Sequence, residues 1–145
     1  MLITELSARM ALALTMWGEA RGESISGILG VGEVVCNRAK DLKRRWPRWE
    51  RDVCLQPRQF SCWNEGDPER AKLEALVASL SNANQSSLIV AVGAPIMVLA
   101  DLALSRTTQE TKGANHYFAH GIPLPIWAAG VEPVAIIGKH WFYKL

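Results

Sequence analysis

Apolar residues recur at helical spacing from the start of the chain: Leu6, Met10, Leu14 and Trp17 fall on one face, and Thr4 can cap the segment. The spacing predicts a helix over 4–17 that stops near Gly18 and leaves Glu19 at its C-terminal edge. Residues 20–25, carrying Arg21, Gly22 and Glu23, read as a turn. A second helix is expected from Ser26 to about Lys40, with Ile28, Val31 and Val35 on one face. Gly27, Gly30 and Gly32 lower its intrinsic propensity and mark a place where another helix comes close.

The periodicity fades over 46–66, where Pro47, Pro57 and Gly66 punctuate what reads as a long ordered loop. Loops of that length in a compact domain are usually functional. Asp67 and Pro68 then supply an N-cap and a first-turn proline to a helix that buries Leu73, Leu76, Val77 and Leu80. A polar break over 81–87 precedes an apolar stretch from Leu88 to Leu104, expected to restart at Pro95 and end near Ser105. Gly93, Pro95 and Asp101 interrupt that stretch, so it reads as a buried helix pair and no stable membrane insertion is expected. The remainder, 106–145, is rich in glycine, proline and aromatics and reads as loops with one or two short helices. The class is mainly α with long ordered loops.

With 145 residues, 49% of them hydrophobic, the chain has the size of one globular domain spanning 1–145. Such a chain buries roughly two thirds of its unfolded surface and can stand without metal or disulfide staples. Cys36, Cys54 and Cys62 form an odd set without C-x-x-C spacing, which suits a reducing compartment. The N-terminal segment lacks a basic region followed by an apolar run and a cleavage site, so no secretory signal is read and synthesis in the cytoplasm is expected. A net charge of +2 is too even to argue for nucleic acid as a partner. The basic residues nevertheless gather at Arg38, Lys40, Lys43, Arg44, Arg45, Arg48 and Arg51, interleaved with Trp46 and Trp49. Such a run is either a solvated face or a patch that approaches an anionic polymer.

Three groups could carry chemistry. The first is Glu19-Ala20-Arg21-Gly22-Glu23. A carboxyl set beneath apolar side chains such as Met16 and Trp17 can keep its proton, and a protonated acid can donate to a glycosidic oxygen. Arg21 could instead neutralise Glu19 in a structural ion pair. The second is the histidine set: His116 and His120 stand at i, i+4, and His140 could complete a zinc site with a glutamate base. Gly113 and Gly121 argue against a regular helix there, and His140 sits in an aromatic cluster where a packed histidine is the usual outcome. The third is the loop from Gln59 to Asn64, whose polar groups beside aromatics suit a sugar-binding cleft or simply cover the core. Cys62 is a weak nucleophile candidate, since no local histidine partners it.

These segments recur in one order: Glu19-Ala20-Arg21-Gly22-Glu23; Gly27 through Val34-Val35-Cys36-Asn37-Arg38; Gln59-Phe60-Ser61-Cys62-Trp63; Gly113-Ala114-Asn115-His116-Tyr117-Phe118; Pro125-Ile126-Trp127; and Ile137-Gly138-Lys139-His140-Trp141-Phe142-Tyr143. In that order they resemble the cell wall hydrolase family that includes the catalytic domain of the spore cortex-lytic enzyme SleB. The resemblance implies a mainly helical, lysozyme-like fold similar to lytic transglycosylase catalytic domains. It implies Glu19 as the catalytic acid and the MurNAc–GlcNAc linkage of peptidoglycan as the substrate. Arg21, Glu23, Asn37, Gln59, Phe60, Ser61, Trp63, His116, Tyr117, Trp127 and His140 become the substrate-binding candidates. Two departures stand out. Glu33 occupies a position where the family helix carries small apolar residues, and is expected to be an exposed helix residue rather than a second acid. The section 67–105 does not align with the family pattern.

A lytic transglycosylase needs one carboxyl group, whereas a hydrolytic muramidase would need a second, for which Glu23, Glu33 and Asp52 are available. Outside glycan cleavage, the rivals are a zinc-dependent N-acetylmuramoyl-L-alanine amidase built on the histidines and a non-catalytic wall-binding module. The expected protein is a monomer without metal or cofactor, whose partner is the glycan strand of peptidoglycan. A single small domain without a leader fits a phage endolysin made in the host cytoplasm and acting on the wall in the periplasm.

Overall fold

A computed structural model of the chain describes residues 1–80 and 85–145. It contains helices α1 (Ala8–Ala20), α2 (Ile25–Ala39), α3 (Glu50–Leu55), α4 (Pro68–Ser79), α5 (Gln85–Val92) and α6 (Ala94–Ser105). Strands β1 (His116–Ala119), β2 (Ala135–Ile137) and β3 (His140–Tyr143) follow. The protein is mainly α, as expected.

The cap of α1 is Ser7 rather than Thr4: its hydroxyl accepts from the Met10 amide at 3.2 Å, and residues 3–5 form a separate 3-10 turn. The helix runs through Gly18 to Ala20, two residues past the expected stop, and Glu19 lies in its last turn, at the C-terminal edge as expected. Met10 through Met16 are all buried, because α1 is packed on by α2, α3, α4, α5 and α6. Deleting a side chain such as Leu12 or Leu14 from such a centre costs about 2–5 kcal/mol.

Helix α2 starts one residue early, capped by Ser24, and is buried along almost its whole length. The close approach expected from its glycines is present. A Cβ on Gly32 would stand 2.9 Å from Ala103 of α6, and one on Gly30 would stand 2.7 Å from the Phe142 ring of β3. Asp67 caps α4 through the Glu69 amide at 2.8 Å, with Pro68 in the first turn, as read from the sequence. The polar break expected over 81–87 lies in part outside the described residues.

Two expectations are corrected. The segment 46–66 is not one loop: it holds α3, whose buried Glu50 accepts from Arg106 at 2.6 Å, and a 3-10 turn over Ser61–Trp63. The segment 106–145 is not loops and helices but contains a three-stranded antiparallel sheet in the order β1-β3-β2, plus a 3-10 turn over Ile126–Ala128. Tyr117 pairs with Phe142 and Ala119 with His140, and Phe142 docks with Ala114 against Val34 of α2. That docking brings β1 across to the end of α1.

Glu33 is a third correction. It is buried in α2, where its carboxylate accepts from the Thr111 amide at 2.9 Å, the Thr111 hydroxyl at 2.8 Å and the Glu110 amide at 3.2 Å. It fastens α2 to the segment that leads into β1, and it is not an exposed helix residue.

Candidate active site

The last turn of α1 presents Glu19 to two other segments. Gly18 makes this possible: a Cβ there would lie 2.9 Å from Cys62 Cβ, so only glycine lets the Ser61–Trp63 turn lie against α1. The turn is fastened by Trp63, whose indole N–H donates to Thr15 Oγ1 of α1 at 2.9 Å, and by Arg70, which donates to the Trp63 carbonyl at 2.8 Å.

Held there, the Cys62 amide donates to Glu19 Oε1 at 2.9 Å and the Ser61 hydroxyl donates to the same oxygen at 3.3 Å. From β1, the Tyr117 hydroxyl donates to Glu19 Oε2 at 2.6 Å. Burial and the neighbouring Glu19 carboxylate raise the Tyr117 phenol well above its ordinary value, so it keeps the proton it donates. Both carboxyl oxygens are thus held by donors from segments far apart in sequence, which fixes the group without burying it.

His140 of β3 stands behind Tyr117 with ring centroids 5.1 Å apart. It is buried, its Nδ1 has no hydrogen-bond partner, and burial lowers its pKa against the opposing pull of Glu23 and Glu19. Glu23 lies on the same side: a Cβ on Gly138 would be 3.0 Å from its Oε2. Glu19, Glu23, Ser61, Tyr117 and His140 therefore form one neighbourhood.

A second cluster adjoins it. His116, next along β1, lies 4.8 Å from the Trp127 ring and 5.6 Å from the Trp46 ring, and its Nδ1 is bonded to Asn115 Oδ1 at 2.8 Å. Burial and the cations Arg38 and Arg45 lower its pKa to about 4. Gln59 Oε1 accepts from the Trp46 indole at 3.2 Å and from Arg38 at 3.3 Å. Arg38 is buried, donates to the Asn115 carbonyl at 2.7 Å and lies over both Trp46 and Phe60.

Other candidates are placed elsewhere or spent on packing. Arg21 does not neutralise Glu19; its guanidinium stacks on Trp17 and pairs with Glu69, which it holds down at about 2. Phe60 and Trp63 are buried and pack in the main core. Asn37 donates to the Ala114 carbonyl at 2.8 Å. Asp52 is bonded to Arg51. Burial and the adjacent Glu19 push the Cys62 thiol far above its ordinary range, which removes it as a nucleophile. His116 opens strand β1 and His120 follows its last residue, so the two do not share a helix face, and the His120 ring is stacked on Trp141 at 5.2 Å. Among the described residues no three His, Cys, Asp or Glu side chains converge as metal ligands would.

Sequence reasoning passed over two contributors. One is the Cys62 amide, a backbone group with no side-chain signature; its only trace is Gly18 immediately before Glu19. The other is the Arg38–Trp46 pair, grouped with the basic run although Arg38 follows the apolar residues Val34, Val35 and Cys36.

The model of the cell wall hydrolase family matches residues 22–143. The chain belongs to the cell wall hydrolase family. The match begins three residues after Glu19. The catalytic domain of Bacillus cereus SleB superposes with a TM-score of 0.68 at 22% identity, covering 94% of this chain and 89% of that one. The catalytic domain of the germination-specific lytic transglycosylase SleB from Bacillus anthracis superposes with a TM-score of 0.66 at 22% identity, covering 97% and 98%. The lysozyme-like fold expected from the sequence is therefore the fold found. No curated protein sequence matches this cell wall hydrolase.

Proposed function

We propose that this cell wall hydrolase degrades peptidoglycan by cleaving the MurNAc–GlcNAc glycosidic bond as a lytic transglycosylase, with Glu19 as its acid and base. The observation that carries the reading is the Glu19 carboxyl, fixed at both oxygens by Ser61, Cys62 and Tyr117 yet still partly exposed. Family membership, and the activity named for the B. anthracis domain that shares the fold, support it.

In this mechanism protonated Glu19 gives its proton to the bridging oxygen, the bond from muramyl C1 to that oxygen breaks, and the GlcNAc leaves with a hydroxyl. The donors on both oxygens stabilise the carboxylate so formed. The muramyl C6 hydroxyl then attacks C1 and passes its proton to Glu19, which closes a 1,6-anhydro ring, consumes no water and restores the acid. The second cluster, with Trp127, His116 and Gln59, offers aromatic edges and an amide to neighbouring sugars.

A hydrolytic muramidase is the second reading, and one observation favours it. Glu23 acts on His140 together with Glu19, so a second carboxylate shares the neighbourhood. Mass analysis of soluble products separates the two: anhydro ends one water lighter support the transglycosylase, and hydrated reducing ends would replace it with the muramidase. The setting we propose is host lysis by a phage endolysin. Expression in a bacterium with a membrane-permeabilising agent should then cause lysis only when Glu19 is intact.

A further inference from the structure

Three residues of the basic run, Lys40, Lys43 and Arg45, line a cavity outside the Glu19 neighbourhood. This cavity, of about 780 Å³, is walled by Lys40, Lys43 and Arg45 from the segment after α2, and by Lys112, Lys144 and Asn115 from the segments flanking β1 and β3. Five of its lining side chains are cations and one, Asp41, is an acid. Asp41 is already spent: its oxygens accept from Arg45 at 3.0 and 3.2 Å, and those bonds hold its carboxyl down at about 2. Among the described residues no carboxylate lies within ion-pair distance of the four lysines. A surplus of four positive side-chain charges thus surrounds one cavity in a chain whose total is +2. Like charges gathered about one space repel, a cost that an anionic ligand removes.

A short stretch of chain links the cavity to the Glu19 neighbourhood. Its wall residue Asn115 stands two positions before Tyr117, and at about 3.3 Å per residue the two are only some 7 Å apart along the chain. Asn115 is immobilised, accepting from the Leu145 amide at 3.0 Å and donating to the Leu145 carbonyl at 2.9 Å. Arg45 stacks on Trp46 at 4.6 Å, and Trp46 meets His116, so the cationic wall is continuous with the aromatic cluster beside Glu19.

We propose that this cavity is a subsite for the carboxylates of the peptidoglycan stem peptide. The inference rests on the peptidoglycan reading above. A muramyl sugar at Glu19 carries a short flexible peptide whose carboxylates are spaced along its length. Several compact ammonium groups around an open space suit such spaced charges better than one planar guanidinium fork would. Of the two readings the sequence leaves open for the basic run, a solvated face or a patch that approaches an anionic polymer, this assignment takes the second for Lys40, Lys43 and Arg45.

The test compares Lys43→Gln/Lys144→Gln with the parent on two soluble substrates: glycan strands that keep their stem peptides, released from sacculi by an endopeptidase, and strands stripped of them by an amidase. Both lysines are exposed, so their loss leaves the core untouched; Lys40→Gln/Lys112→Asn, in other positions of the wall, provides a second pair. Binding is read by calorimetric titration in the Glu19→Gln background, and cleavage by mass analysis of the fragments. On peptide-bearing strands the half-saturating concentration should rise about tenfold with the limiting rate unchanged. On stripped strands parent and variants should coincide. Equal binding by parent and both variants on peptide-bearing strands, or an equal gap on both substrates, would overturn the assignment. So would displacement by polyphosphate combined with indifference to peptide removal, which would point to a phosphate polymer. Failure of the parent to cleave either substrate would count against the glycan-cleaving reading alone, because the calorimetric arm does not need turnover.

Discussion

The Tyr117 hydroxyl lies 2.6 Å from Glu19 Oε2, across a sequence separation of 98 residues. This bond joins the last turn of α1 to the small sheet, and it exists because Phe142 and Ala114 dock that sheet on Val34. Tyr117→Phe keeps the ring and its contacts with His140 and Phe142 while removing one donor. A hydrogen bond to a charged group contributes about 1.5–3 kcal/mol, so the rate of glycan release should fall about tenfold to a hundredfold. The pH profile of the limiting rate should shift while the melting temperature stays close to that of the parent. An unchanged rate and profile would show that Tyr117 does not position Glu19.

Glu33 answers a different question. Its carboxylate serves the Thr111 and Glu110 donors inside the fold, so Glu33→Ala should destabilise the protein by about 2–4 kcal/mol through unsatisfied buried groups. Activity per folded molecule should persist. Denaturant titration beside a cleavage assay measures both; loss of cleavage in a well-folded Glu33→Gln protein would make it a catalytic partner instead.

Glu23 is the carboxylate on which the reaction outcome turns. Under single-acid chemistry, Glu23→Gln should retain cleavage within about tenfold, and its products should still end in the anhydro sugar. Mass analysis reads this directly. A loss as deep as that of Glu19→Gln would make Glu23 essential.

His116 supplies a pH dependence of stability. Its pKa is lowered from 6.5 to about 4 in the fold, chiefly by burial, with Arg38 and Arg45 adding to the shift. As pH falls through that window the unfolded chain takes up a proton that the folded chain refuses, so stability is lost from about 6.5 down to about 4. Thermal unfolding at the two ends should show a smaller drop for His116→Gln than for the parent. An equal drop would assign the effect to other groups.

Much of this architecture was legible in the order of residues. Helix α4 announces itself by its cap and first-turn proline, α2 and α6 by apolar spacing, and the segments that carry Glu19, Ser61, Tyr117 and His140 stand out in the sequence before the fold brings them together. The sheet was not legible because its strands span only three or four residues, and β3 buries His140, Phe142 and Tyr143 without alternation. Glu33 was misjudged because α2 is enclosed on nearly every side, which makes a face-by-face reading fail. Gly18 was read as a helix end, although it is the gap through which Cys62 reaches Glu19. Tertiary closeness of that kind leaves only a missing side chain in the sequence.

The central claim of the proposed mechanism is that one carboxyl, Glu19, donates and then recovers the proton of glycan cleavage. The most direct measurement is release of soluble fragments from purified peptidoglycan by Glu19→Gln, alongside its thermal unfolding. We predict an unfolding temperature near that of the parent and no detectable release. Release at a rate close to the parent's, from a folded Glu19→Gln protein, would contradict it.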